Sequence, residues 1–496
     1  MEAFLNILPQ IITLEIFGLL FIGLIIGNAF GAIPGLSGIL ALALALPFTF
    51  FMQPVPALAL LMGVYKGCMF GGAVSAISFG VPAEAQAAAT VLDGYPMCKA
   101  GYPKKALGTA LWSSFLGDFS TDILVILTLI PLSVFALMFG PRELTALMFL
   151  ALTSLVLLFG GNIKRGAFAA VVGAFIATMG SDPLTAIPRL TFGMRQMMDG
   201  VPMVPFVVGL FAFSELLLQF GQGVQSSSSK KESFNMFKAK SNPDDKFSFS
   251  EFFMCWRELL LGIGVGGFLG VLPGPGATMA AFTSYGMAGR MKKNKGKMGT
   301  GLTSGIVAAE TANSATVGPT LMPLLAFGVP GSGIAALFGA ALMLQGITPG
   351  PGLFTDHIEI IYGIFVLLIA GTTLNLVVSK FFVIPVFSRL AMIERRLLVA
   401  IFLPLMAIGI YSIGLRGYDV LILFLAGMLG LLFRRIQVPL APVAVAVIVV
   451  PILEVQFKRA AILSRGEWLY FVGSPIAIVL YGLLAVLGFY AWKTRN

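Results

Sequence analysis

Glu310-Thr-Ala-Asn-Ser-Ala-Thr316 places a carboxylate, an amide and three hydroxyls inside an otherwise apolar stretch. Oxygen groups of this kind suit a hard cation such as Na⁺, or a polar solute. The plainer alternative is that Thr, Asn and Ser side chains merely hydrogen-bond neighbouring membrane helices. Glu310 tips the reading toward function, because an acid within an apolar span is costly and usually belongs to an ion or proton pathway. Glu310, Asn313, Ser314 and Thr316 are therefore the expected cation ligands.

A second set of positions recurs. Gly31-Ala-Ile-Pro-Gly35 returns as Gly270-Val-Leu-Pro-Gly274, and Phe79-Gly-Val-Pro82 returns as Phe327-Gly-Val-Pro330. The offsets are 239 positions for Pro34 and Pro273, and 248 for Pro82 and Pro330. Proline and glycine at such places break helices and bare backbone groups, which is tolerated at membrane depth only where protein or a watery cavity satisfies them. Incidental kinks do not recur in order, whereas matched interruptions in two halves point to a transporter's binding site. Half-helix N-termini favour an anion, and C-terminal carbonyls favour a cation. The expected substrate contacts are Asn28, Pro34, Gly35, Ser37, Pro82, Pro273, Gly274, Thr278, Pro330, Gly331 and Ser332. Gly35 and Gly274 are also expected beside the cation.

The remaining ionisable residues are less specific. Lys66 lies in an apolar run and could meet a carboxylate substrate, snorkel, or form a structural ion pair. Asp118 and Asp122 share one helix face by their spacing of four, and read as a boundary rather than a site. Glu84 and Gln86 follow the first Gly-Val-Pro. Asp93-Gly-Tyr-Pro96 reads as a turn near the surface. His357 reads as a surface residue beside Asp356.

These residues must be positioned by membrane helices. Of 496 residues, 58% are hydrophobic and 11% charged, far from the roughly 25% charged residues of a soluble domain. About ten to twelve apolar segments approach the ~20 residues needed to cross a bilayer. The fold class expected is an all-α polytopic membrane protein, with two inverted-topology repeats containing broken helices or re-entrant hairpins. Residues 1–10 carry no Lys or Arg, so the first apolar run reads as a retained helix rather than a signal peptide. The net charge of +10 follows from basic loops on the cytoplasmic side, and no nucleic-acid role is expected. Cys68, Cys98 and Cys255 lack metal-like spacing and read as buried small hydrophobes.

Loop charge orients the halves. Residues 1–220 form a first repeat, 221–251 a Ser- and Lys-rich cytoplasmic linker, and 252–496 a second repeat. Loop 50–56 bears no charge, but its counterpart 290–297 carries Arg290, Lys292, Lys293, Lys295 and Lys297. Loop 98–105 holds Lys99, Lys104 and Lys105, whereas its counterpart 349–359 holds Asp356, His357 and Glu359. Equivalent loops thus swap sides. Lys493 and Arg495 hint at a cytoplasmic C-terminus, which requires one extra helix in the second half.

Gly31-Ala-Ile-Pro-Gly-Leu-Ser-Gly38, Gly80-Val-Pro82 through Leu92-Asp-Gly-Tyr-Pro-Met97, and Gly270-Val-Leu-Pro-Gly-Pro-Gly-Ala-Thr278 carry a resemblance over essentially the whole chain. With Glu310 to Thr316 and Phe327-Gly-Val-Pro-Gly331, the chain resembles the large membrane subunit of tripartite tricarboxylate transporters. The resemblance implies secondary, cation-coupled uptake (typically with Na⁺) of organic carboxylates across a bacterial inner membrane. It also implies two partners, a small membrane subunit and a periplasmic substrate-binding protein. Ala83 follows the first Gly-Val-Pro where Gly331 follows the second, so the two tips differ.

Other classes are distinguishable. A stand-alone carrier would need no binding protein, and a passive channel for small organic anions could use the same broken helices. Enzyme signatures are absent: there is no phosphate-binding Gly-x-x-x-x-Gly-Lys-Ser/Thr loop, no His-Glu-x-x-His, and a single histidine. No cofactor or resident metal is expected beyond a coupling ion.

Overall fold

The computed structural model describes residues 8–9, 11–33, 36–158, 163–182, 184–223, 242, 244–272, 276–385 and 395–493. Pro34, Gly35, Pro273 and Gly274 lie outside the described residues, as does most of the 221–251 segment. The chain is 79% helical, and a pair of two-residue strands, Gly180–Ser181 with Pro188–Arg189, is the only sheet among the described residues. It is an all-α protein.

The first helices are α1 (Leu14–Ala32), α2 (Gly38–Thr49), α3 (Pro54–Phe79), α4 (Ala88–Lys99), α5 (Pro103–Leu137), α6 (Pro141–Leu158) and α7 (Ile163–Ala177). Next come α8 (Met203–Val208) and α9 (Ser214–Gly223), joined by a π-helical turn at Gly209–Phe213. The later helices are α10 (Trp256–Val271), α11 (Gly276–Gly289), α12 (Thr303–Ser314), α13 (Val317–Phe327) and α14 (Gly333–Leu344). Then follow α15 (Ile358–Val378), α16 (Arg395–Gly414), α17 (Gly417–Arg435), α18 (Ala441–Ser464) and α19 (Pro475–Lys493).

Six helical stretches among the described residues are long and apolar enough to cross a membrane: α1, α3, α5, Ile358–Val383, α17 and α18. Shorter apolar helices, α2 and α14 with 12 residues each, fall below that length. α2, with 12 residues, reaches only ~18 Å at 1.5 Å per residue, about half of a ~30 Å hydrocarbon core. Large apolar side chains such as Leu127 and Val134 of α5 and Val479 and Val486 of α19 are exposed. An apolar exterior on this scale is lipid-facing surface, and the chain is a multi-pass membrane protein.

Local chemistry ends the helices at the interruptions. Gly80 closes α3 at φ 65° and Gly328 closes α13 at φ 72°, both left-handed caps. A Cβ at Gly80 would also strike the Tyr95 ring at 2.8 Å, and one at Gly328 would meet the Pro349 carbonyl at 2.7 Å. Restarts are capped by serine. Ser37 accepts a hydrogen bond from the Leu40 amide at 3.2 Å, and Ser332 from Ala335 at 3.1 Å.

Close packing sets the rest. Gly23, Gly27 and Gly31 let α1 approach α3 so nearly that an added Cβ would sit 2.3, 2.1 and 2.5 Å from the carbonyls of Leu60, Val64 and Cys68. Gly262, Gly266 and Gly270 do the same for α10 against α12 and the following turn, meeting Thr311, Ala312 and Thr316. Each of these glycines stands 239 positions after its counterpart, so one packing device recurs with the Pro-Gly register. The three cysteines are buried and free.

One expectation fails. Asp93-Gly-Tyr-Pro96 forms no surface turn; it lies within α4, and Asp93 is fully buried. Its Oδ1 accepts from the amides of Gly299, Gly301 and Leu302 at 3.0, 2.9 and 2.8 Å, and its Oδ2 from the Tyr285 hydroxyl at 2.8 Å. Anchoring a distant loop outweighs the local turn propensity.

Candidate functional site

Three helix starts converge on a cavity of about 580 Å³. Ser37 before α2, Gly276 and Thr278 at the start of α11, and Gly331 and Ser332 before α14 all line it. Glu84 and Gln86, from the turn between α3 and α4, complete the floor. The unpaired amides of a helix's first turn carry partial positive charge, so several such ends aimed at one space make an anion receptor.

One of these ends already holds an anion. The Glu84 carboxylate accepts from the Gly38 amide at the start of α2 and from the Gln86 amide. The starts of α11 and α14 face the cavity with no acidic side chain bound to them among the described residues.

Arg434, in the last turn of α17, brings a full positive charge to the same cavity. Its guanidinium pairs with Glu215 at 2.6 Å and donates to Ser214 Oγ at 3.2 Å and the Phe211 carbonyl at 3.4 Å. The chemistry available is capture of a multiply charged anion by helix ends plus one guanidinium. Arg434 escaped the sequence reading because a basic residue ending an apolar helix looks like an ordinary cytoplasmic anchor.

The other expected substrate contacts divide. Pro82 precedes the lining residue Ala83, and Pro330, which is buried, precedes Gly331. Asn28 is not at the cavity. It is fully buried, with its amide donating to the Leu24 carbonyl and to Asn375 Oδ1, both at 2.9 Å.

The Glu310 segment forms a second centre, at the end of α12. Glu310 accepts from the Thr90 hydroxyl and, at 3.2 Å, from Ser114 Oγ, and is fully buried. Thr316 donates to the Asn313 carbonyl at 2.7 Å. The hydroxyls of Thr311 and Ser314 are buried without partners. The Asn313 amide lies beside Glu310 but makes no hydrogen bond of good geometry.

Next to it is a charge cluster assembled from distant parts of the chain. Lys66 Nζ donates to Asp118 Oδ2 at 2.8 Å, Asp122 Oδ2 at 2.9 Å and Thr372 Oγ1 at 2.7 Å. Thr372 in turn donates to Asp122 Oδ2 at 2.6 Å. Lys66 is therefore an ion-paired residue rather than a group facing the large cavity. Asp118 and Asp122, expected as a boundary mark, are buried near the middle of α5. No group of three or more His, Cys, Asp or Glu residues that could hold a metal ion occurs among the described residues.

Away from these centres, the loop between α7 and α8 is tied down by ions. Arg189 pairs with Glu454 at 2.6 Å, and Lys458 bonds both Glu454 and Asp182. The Lys458 ammonium holds the Asp182 carboxyl well below the usual carboxylate range.

No solved structure matches the chain. Among curated proteins, an "Uncharacterized 52.8 kDa protein in TAR-I ttuC' 3'region" of Agrobacterium vitis is 32% identical over 469 residues, 94% of this chain and 91% of that protein. An "Uncharacterized protein in TAR-II ttuC' 3'region" of the same organism is 36% identical over 218 residues, 44% of this chain and 90% of that protein. The family model of the tripartite tricarboxylate transporter TctA family matches residues 17–445. With a match over most of its length, the chain belongs to the tripartite tricarboxylate transporter TctA family, a family of transporter subunits and not of enzymes.

Proposed function

We propose that this subunit imports an organic, tricarboxylate-like substrate by symport with a cation, Na⁺, across a bacterial inner membrane. The observation that carries the reading is the cavity in which helix starts and Arg434 converge. Carboxylates of the substrate bind the starts of α11 and α14 and the Arg434 guanidinium. Ser37, Thr278, Gly331 and Ser332 supply hydroxyl and backbone contacts. Glu310, Asn313, Ser314 and Thr316 serve the coupling ion. A tripartite family implies partner subunits; here they are a small membrane subunit and a periplasmic binding protein that delivers the substrate.

Proteoliposomes containing this chain, its small subunit and a carboxylate-loaded binding protein test the reading. Uphill accumulation on an inward Na⁺ gradient, abolished when the binding protein is omitted, is the expected result. Strictly downhill flux would make the protein a channel, and full-rate uptake by this chain alone would make it a stand-alone carrier.

The two halves, 1–220 and 252–496, joined by the cytoplasmic linker 221–251, cross the membrane in opposite senses in this reading. The recurring glycine stripe and left-handed caps support a repeat, and the swapped loop charges support its inversion. Single cysteines introduced in loops 50–56 and 349–359 should react with an impermeant thiol reagent from outside. Those in 98–105 and 290–297 should react only after the cells are opened. Labelling of 290–297 and 349–359 from one side would end the inverted arrangement.

A further inference from the structure

The Lys66 cluster does not balance. Two carboxylates, Asp118 and Asp122, face one ammonium, so with both ionised the cluster carries one net negative charge. Lys66 Nζ spends its hydrogen bonds on Oδ2 of Asp118, on Asp122 and on Thr372. Asp118 Oδ1 is left buried with no partner.

Asp118 borders a narrow space between α3, α5, α12 and α15, just large enough for one water or one bare small ion (about 10 Å³). Ser314, 2% exposed and with its Oγ equally without a partner, lines the same space from the end of α12. Ser114, Thr372 and Asn375 supply further oxygens around it. The end of α12 contributes the negative pole of a helix as well.

We propose that this space is a binding site for one desolvated monovalent cation of Na⁺ size, held by Asp118 Oδ1 and Ser314 Oγ. The proposal rests on the cation-coupled reading above and moves the ion's primary ligand to Asp118, outside the Glu310 segment. Charge decides between an ion and a water. Beside a water, the cluster is neutral only with a proton on one carboxylate; with both ionised, a water would leave a buried charge that costs several kcal/mol in a protein interior. A monovalent cation brings the cluster to neutrality, whereas a divalent one would overshoot. Hard oxygen donors around a water-sized space favour Na⁺ over a larger or softer ion.

The faces packed around the site explain why it would matter for coupling. Lys66 comes from α3, the aspartates from α5, Ser314 from α12 and Thr372 from α15. Ser114 also donates to Glu310, so the ion's surroundings join the second acid through one hydroxyl. Lys66, Asp118, Asp122 and Glu310 are the charged groups that face it.

Saturable ²²Na⁺ binding to the purified full-length chain, with K⁺ and choline as controls at constant ionic strength, tests the site. Wild type should bind, Asp118→Asn should lose binding, and Ser314→Ala should raise the half-saturating Na⁺ concentration about tenfold. Ser314→Ala keeps every Lys66 contact, so it carries the test if Asp118→Asn fails to fold. Absence of saturable ²²Na⁺ binding by wild type would overturn the site, as would wild-type affinity in both variants. Uptake that persists on a proton gradient without ²²Na⁺ binding would sink the site yet leave a cation-coupled carrier. Retained ²²Na⁺ binding without any carboxylate uptake would sink the carrier reading and leave the site.

Discussion

Replacing Lys66 with methionine should destabilise the protein by about 3–5 kcal/mol, the cost of stranding buried charges after one partner is removed. The ammonium is fully buried and bonds two carboxylates and a hydroxyl at 2.7–2.9 Å. Methionine fills similar space but leaves Asp118 and Asp122 facing each other with only Thr372 between them. The expected result is loss of the monodisperse detergent-extracted protein, or a large fall in its melting temperature. Removing the stranded charges as well, by Asp118→Asn and Asp122→Asn in the same chain, should restore most of that loss. The recovery distinguishes electrostatics from packing, since wild type and both variants keep nearly the same side-chain volumes. A melting temperature for Lys66→Met close to wild type would show that the cluster does not hold the bundle together.

The second large effect belongs to Arg434. A hydrogen bond to a charged group contributes about 1.5–3 kcal/mol, so Arg434→Gln should raise the KM for carboxylate uptake on the order of 100-fold. Arg434→Lys keeps the charge but not the planar fork, and should recover part of the loss. Glu215→Gln makes the opposite prediction. Glu215 holds the guanidinium at 2.6 Å; without that carboxylate to compete, KM should fall. An Arg434→Gln variant with unchanged KM but lowered stability would reduce the pair to a structural one.

What could be read from the chain, and what could not, follows the range of the forces involved. Helix interruptions are local, encoded by Pro and Gly over a few residues, and Gly80 and Gly328 end their helices where the Gly-Val-Pro motifs predict. Burial of Glu310, Asn313 and Ser314 was equally accessible, since polar residues in an apolar run have nowhere else to go. Partners were not. Asp118 and Asp122 signal a shared helix face, but nothing in their spacing names Lys66 or Thr372, which are 52 and 254 positions from Asp118. Asp93 shows the reverse failure, where a strong local turn signal yields to bonds with a loop more than 200 positions away. Asn28 was drawn toward the cavity by proximity to a Pro-Gly break, although its amide is spent on Leu24 and Asn375.

The central helix α3 has a consequence for how the chain is made. Its membrane-crossing stretch is wholly buried within the protein, so in the finished molecule it touches no lipid, yet during synthesis most of its eventual neighbours have still to be made. Lys66 enters the bilayer 52 residues ahead of Asp118. At about 5–20 residues per second, the ammonium waits roughly 3–10 s for its first counter-charge. Thr372 and Asn375 are translated much later still, so in that interval α3 has α1, α2 and α4 to pack against, α1 most closely. The glycine seam between α1 and α3 therefore acts as a holding clamp during biogenesis, closing around a charged helix before the residues that neutralise it exist.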